Sequence, residues 1–168
     1  KQQGRKAAIV GQVNTNMPFM YGEAAFGDDE IDFIVDNPDF YHMLFGPPRE
    51  PVSTTDFFIG LYSGLLVKDG GTLQIGIGSL GDAIAYGLQL RDGDNALFQD
   101  ILDSAGAHRF DEEIQSIGGS KPFEKGLYGC TEMLTDAFLQ LIHSGIIRRN
   151  TYDDYRVQKP LMEGRITE

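Results

Sequence analysis

The stretch DGGTLQIGIGSLGDAIAYGL, residues 69–88, decides how the rest of the chain is read. Thr72-Leu-Gln-Ile75 has the character of a short strand, and it passes directly into Gly76-Ile-Gly-Ser-Leu80, behind which a helix is predicted from Asp82 to Leu90. Before it, Ser53 with Asp56 three residues on forms a capping box in its Asp form, and Phe57, Phe58, Leu61, Tyr62, Leu65 and Leu66 fall on one stripe. This predicts a helix that stops near Asp69-Gly70-Gly71. Gly60 and Gly64 would each weaken an isolated helix by about 1 kcal/mol relative to Ala, so they are expected where another backbone packs closely. Helix, strand, glycine turn and helix in that order indicate an α/β fold with a mostly parallel sheet and crossover connections.

Further along, Arg91 to Pro122 is polar and mixed, with short helices expected over Asn95–Ser104 and near Asp111–Ile117, and reads as an insertion between two elements of one sheet. A strand is predicted over Phe123–Tyr128. An amphipathic helix is predicted over Thr131–His143, with Leu134, Phe138, Leu141 and Ile142 facing inward and Gly145 capping it. The tail beyond Arg149 shows only weak alternation. On the other side, Ala7–Val13 reads as a buried strand, Pro18 and Gly22 interrupt any continuation, and Ile31–Val35 reads as another strand. A loop from Asn37 to Pro51 holds four of the seven prolines, which marks a linker.

The chain has 168 residues, enough for a sizeable core, with 14 Lys and Arg against 25 Asp and Glu, a net charge of −11 and a pI near 4.6. That balance argues against a surface for nucleic-acid phosphates or anionic lipid, which requires clustered cations. No apolar run reaches the ~18 residues of a membrane span, and the single Cys130 excludes a disulfide framework and fits a reducing cytoplasm. The chain opens on Lys1, and its last stretch, from Lys159, ends without a capped element, so a piece of a longer protein is expected.

Gly76, Gly78 and Gly81 have the G-x-G-x-x-G spacing that lets backbone N–H groups approach a ligand at a helix N-terminus. No acidic residue ends a following strand about twenty positions on, as dinucleotide binding requires, so that reading stands beside an ordinary tight turn and another anion or thioester site. Glu132 is predicted in the first turn of a helix, where the dipole favours an ionised carboxylate; it is either a nucleophile or a dipole-complementing surface charge. Cys130 with one of His42, His108 or His143 would be a nucleophile pair, against the ordinary reading of an inert buried thiol. The histidines lack partners at metal spacing, and no metal is predicted.

Read together, VNTNMPFMYGE (13–23), IDFIVDN (31–37), residues 69–88 and TEMLTDAFLQLIHSGII (131–147) resemble, in order, segments of the acetyl-CoA hydrolase/transferase family, which includes bacterial CoA-transferases acting on acetate, butyrate, propionate or 4-hydroxybutyrate. The resemblance implies a CoA-transferase-like α/β fold with an open, mostly parallel sheet and flanking helices. Residues 1–45 would end a first domain, 46–52 would be the linker, and 53–168 would begin a second domain carrying an insertion near 91–122. It further implies that Gly76, Ile77, Gly78, Ser79 and Leu80 contact coenzyme A. Glu132 would be the nucleophile of a ping-pong exchange between a short-chain acyl-CoA and a carboxylate acceptor, with water in place of the acceptor giving a hydrolase. The parent would be a cytoplasmic homo-oligomer. The insertion departs from the family pattern and implies a less typical branch. A non-catalytic CoA- or nucleotide-binding module using only the glycine turn is the alternative.

Overall fold

In the computed structural model, which describes residues 7–46 and 50–167, the chain divides into two units, Lys1–Gly46 and Pro47–Glu168. In the first, β1 (Val10–Gln12) and β2 (Phe33–Val35) pair in parallel, Val10 opposite Phe33 and Gln12 opposite Val35. The ribbon is tied at its start by the Ile9 N–H donating to the Asp32 carboxylate at 2.8 Å, and at its end by Val13 donating to the Val35 carbonyl. The expectation of a buried strand over 7–13 is corrected: Val10 is 60% exposed and Phe33 63%. A two-stranded ribbon buries little by itself, and among the described residues of this unit no second layer covers it.

The second unit begins with α1 (Thr54–Leu66), whose capping box is complete. The Ser53 hydroxyl receives the Asp56 N–H at 3.1 Å, and the Asp56 carboxylate receives the Ser53 N–H at 3.2 Å. Then come β3 (Thr72–Leu73), α2 (Ser79–Gly93), α3 (Asn95–Ser104), α4 (Asp111–Ile117), β4 (Tyr128–Gly129), α5 (Asp136–His143) and α6 (Tyr155–Met162). The strands β3 and β4 are parallel neighbours, Thr72 opposite Tyr128 and Leu73 opposite Gly129. These short parallel strands with helices around them are the predicted α/β architecture.

Helices α1 and α2 cross through small residues. A Cβ on Gly60 would fall 2.5 Å from the Ala83 carbonyl carbon, and one on Gly87 would fall 2.7 Å from the Gly60 oxygen, so both backbones meet where side chains are absent. Gly64 differs, since its Cβ would find Phe98 at 3.7 Å, an ordinary contact. Gly60→Ala is therefore expected to cost about 3 kcal/mol by forcing two helices apart. Gly64→Ala should be neutral or stabilising by up to about 1 kcal/mol, because Ala restricts the unfolded chain. Urea denaturation of the two variants separates the cases, and equal losses would contradict the crossing geometry.

Two apolar clusters form the core of this unit. Leu73, Ile75, Leu88, Leu127, Phe138, Leu141 and Ile146 are packed around the sheet, while Leu61, Leu65, Phe98, Leu102 and Ile114 are packed beneath α1. The segment 91–122 thus contributes Phe98, Leu102 and Ile114 to a core, where polar composition predicted an excursion. Arg91, inside α2, is its anchor. Only 2% exposed, it donates to the carbonyls of Gly64 (2.7 Å), Val67 (2.6 Å) and Lys121 (2.7 Å), with its guanidinium 4.2 Å from the Phe123 ring centroid.

Asp69 ties the strand edges in a similar way, accepting from the N–H groups of Lys125 at 3.1 Å and Gly126 at 3.0 Å. Desolvation pushes its carboxyl upward, but these backbone donors, with those of Glu124 and Gly70, outweigh it and hold the carboxyl below the ordinary carboxylate value. Because the folded value is depressed, the stabilisation is present above the unfolded value near pH 4 and is lost as pH falls through the folded one. The stability gap between the wild type and Asp69→Asn is therefore expected to be constant from about pH 8 to 5 and to close below about pH 4. A gap unchanged down to about pH 3 would show that the carboxylate contributes nothing.

Candidate functional site at the carboxyl ends of β3 and β4

Where β3 ends, the chain turns through Gly76-Ile-Gly-Ser-Leu80, and α2 starts at Ser79, three residues earlier than periodicity predicts. Gly78 is the N-cap at φ +104°, a conformation L side chains rarely adopt. A Cβ on Gly81 would press on the Gly76 carbonyl, whereas Cβ atoms on Gly76 and Gly78 would meet nothing within 4 Å. The glycines thus have two different reasons. Gly81 is there so that the helix can sit against its own turn, and Gly76 and Gly78 leave an open backbone surface, with Ile77 54% and Leu80 42% exposed beside it. A glycine cap supplies no side chain to the first-turn N–H groups, so they are free to receive a ligand oxygen.

Ser79 is not isolated. Asp56 of α1 is held below the ordinary carboxylate value first by the Ser53 hydroxyl and N–H, against slight desolvation, with the Ser79 hydroxyl adding to the effect.

The chain leaving β4 is Cys130-Thr-Glu-Met-Leu134, and Glu132 sits in it as an exposed bend residue, spanned by the Thr131 hydroxyl donating to the Met133 carbonyl at 2.7 Å. This corrects the helix predicted over Thr131–His143. Helix α5 starts at Asp136, with Thr135 as N-cap receiving the Phe138 N–H, so Glu132 lies outside the first turn and the α5 dipole does not account for its placement. The delay follows from Gly129, against which Phe138 packs so closely that a Cβ would meet the ring Cζ at 2.8 Å. Seating that ring on β4 fixes where α5 can begin. Phe138 and Leu141 are buried as predicted, while Leu134, in the loop, is 63% exposed and Ile142 43%. Cys130, expected to be buried, is exposed, and its N–H donates to the Leu73 carbonyl at 2.9 Å, extending the ladder one step.

The pairing of β3 with β4 ends at Leu73 opposite Gly129, and Gly76 and Glu132 each follow three residues later in the connections that leave the strands. The glycine turn and the Glu132 loop accordingly emerge side by side at the carboxyl ends of adjacent parallel strands, where α/β sheets bind ligands. The histidines are distributed over both units. His143 is in the last turn of α5, His108 in a 3₁₀ turn over Ala107–Phe110, and His42 in the first unit, where its carbonyl accepts from Asn14. Among the described residues no group of three or more His, Cys, Asp or Glu could hold a metal ion, and no helix is long and apolar enough to cross a membrane.

No protein-family model matches the chain. It is 25% identical over 139 residues to the 4-hydroxybutyrate coenzyme A transferase of Clostridium kluyveri, covering 83% of this chain and 24% of that protein. Among solved structures it is similar to the 4-hydroxybutyrate CoA-transferase of Porphyromonas gingivalis (TM-score 0.55, 26% identity, 83% of this chain and 26% of that one). It also shares its fold with RipA from Yersinia pestis (TM-score 0.55, 24% identity, 83% and 24% of the two chains). The chain spans about a quarter of the length of these relatives.

Proposed function

We propose, for this chain as a segment of the acetyl-CoA hydrolase/CoA-transferase family, that it carries the nucleophile and one ligand-binding turn of an acyl-CoA:carboxylate CoA-transferase or acyl-CoA hydrolase. The observation that supports this reading is that the glycine turn and the Glu132 loop leave the carboxyl ends of two adjacent parallel strands, β3 and β4. Glu132 then attacks the thioester carbonyl carbon of a short-chain acyl-CoA; the C–S bond breaks, leaving an acyl-glutamyl anhydride and CoA thiolate. The thiolate attacks the glutamyl carbonyl of the anhydride and releases the donor carboxylate, leaving CoA on Glu132 as a thioester. An acceptor carboxylate reverses the two steps and departs with CoA; water instead of the acceptor gives hydrolysis. The open N–H groups at the start of α2 are suited to hold the oxyanion formed at each attack. Gly76, Ile77, Gly78, Ser79 and Leu80 form the coenzyme A contact. The division into a first domain ending near residue 45, a linker and a second domain from residue 53 belongs to the same reading, as does action in the cytoplasm without a metal.

Trapping tests it. The full-length protein carrying this segment is incubated with acyl-CoA, treated with borohydride or hydroxylamine, and mapped by mass spectrometry. Modification of Glu132 is expected; acyl transfer without any modification there would overturn the covalent mechanism, and binding without transfer would favour the non-catalytic module. The 168 residues alone are expected to turn over no thioester, since the matched stretch is 24% of the length of the Clostridium kluyveri relative. Measurable turnover by the segment would contradict that.

A further inference from the structure

The connection that carries Glu132 is held at both ends. On one side the Cys130 N–H donates to the Leu73 carbonyl at 2.9 Å, one step past the paired residues of the strands. On the other, Thr135 caps α5 and Phe138 is seated on Gly129. Between these ties Glu132 is an exposed bend residue flanked by half-buried Thr131 and Met133. The Thr131 hydroxyl crosses the bend and donates to the Met133 carbonyl at 2.7 Å, the best separation for an O–H donor. With planar peptides on either side, the ring closed by this bond contains both soft backbone dihedrals of Glu132, so it fixes the direction in which the Glu132 side chain leaves the backbone.

We propose that Thr131 is a positioning residue for Glu132, its hydroxyl holding the bend in the conformation from which the carboxylate attacks the thioester. This rests on Glu132 being the nucleophile. Thr131 works through the backbone and not on the charge. A hydroxyl has one proton to give, and here it goes to the Met133 carbonyl, so it is not offered to the Glu132 carboxylate. The β-branched side chain suits the task, because few rotamers are open to it and the hydroxyl stays where the carbonyl needs it. An exposed carboxylate on an unbraced bend would sample several directions, and an oriented attack is sensitive to displacements of about 1 Å.

Thr131→Val keeps the branching and removes the hydroxyl, whereas Thr131→Ser keeps the hydroxyl. In the full-length protein, Thr131→Val is expected to lower kcat about tenfold or more and to slow hydroxylamine trapping at Glu132 by the same factor, with KM for acyl-CoA within about twofold of the wild type. Thr131→Ser should restore kcat to within about threefold of the wild type, its hydroxyl reaching the same carbonyl. Trapping at Glu132 that is as fast in Thr131→Val as in the wild type would overturn the positioning role while leaving Glu132 the nucleophile. A loss that Thr131→Ser shares in full, or one expressed in KM and not in kcat, would overturn it as well, since the side chain would then serve only the fold or the binding of CoA. Absence of any trapping at Glu132 in the wild type would overturn the positioning role and the nucleophile together. Should Thr131→Val lose helix content by circular dichroism, Thr131→Ala against Thr131→Ser decides on the same terms.

Discussion

Glu132→Gln is expected to lower CoA exchange in the full-length protein by about a thousandfold or more while leaving CoA affinity and stability within about twofold of the wild type. The magnitude comes from chemistry. The amide keeps the size and hydrogen-bonding reach of the carboxylate but has no anionic oxygen with which to open a thioester. The selectivity comes from structure, because Glu132 is exposed in the loop after β4 and supports no core contact, and substitutions at such positions usually shift stability by less than about 0.5 kcal/mol. Glu132→Asp sharpens the comparison. It keeps the nucleophile but withdraws it by about 1 Å, which for an oriented attack is expected to cost about a hundredfold. Cys130→Ser should retain exchange, since the exposed thiol has no role in the steps above. Exchange that survives in Glu132→Gln and fails in Cys130→Ser would move the chemistry to the thiol.

Local signals with a single physical cause were readable before the structure. Ser53 and Asp56 announced a capping box that is present with both bonds, and the helices over Asn95–Ser104 and Asp111–Ile117 begin and end where the pattern puts them. The order strand, glycine turn, helix was enough to predict an α/β fold with parallel strands. Failures occurred where a contact distant in sequence decided the outcome. The start of α5 is set by Phe138 seating on Gly129, so a periodicity that runs evenly from Thr131 overextends the helix by five residues. The tail beyond Arg149 reads as weakly alternating because Pro160 and the mixed charges obscure the apolar side of α6, yet Asp154 caps it by receiving the Arg156 N–H at 2.8 Å. The candidate site is divided in the same way. The two motifs were visible singly, and only the pairing of β3 with β4 brings the connections that carry them to the same end of neighbouring strands.

Arg91 shows most plainly what composition could not convey, and its removal is the second large effect expected. A segment counted as polar from residue 91 onward begins with a guanidinium that is almost wholly inside the protein. Desolvation pushes its pKa down to about 10, against the pull of Asp69 and Asp92, so the group stays charged at neutral pH and depends on the carbonyls it reaches. Two of those carbonyls, of Gly64 and Val67, lie at the end of α1, where the helix has no N–H of its own to offer, and the third, of Lys121, belongs to the segment returning to β4. One side chain thus closes a helix end and fastens the 91–122 segment to it. Arg91→Met fills a similar volume and leaves three acceptors without this donor. At about 1–3 kcal/mol for each acceptor left unpaired, tempered by rearrangement and by the removal of a buried charge, a net loss of about 3–5 kcal/mol is expected. Against the 5–15 kcal/mol typical of a whole domain, that leaves a marginal fold. Arg91→Lys keeps the charge but lacks the planar fork that divides its bonds between α1 and Lys121 and stacks on Phe123, so an intermediate loss of about 2 kcal/mol is expected. Chemical denaturation of the three proteins at neutral pH tests the order. If Arg91→Met matched the wild type, the guanidinium would be dispensable and packing of Phe98, Leu102 and Ile114 alone would hold the segment in place.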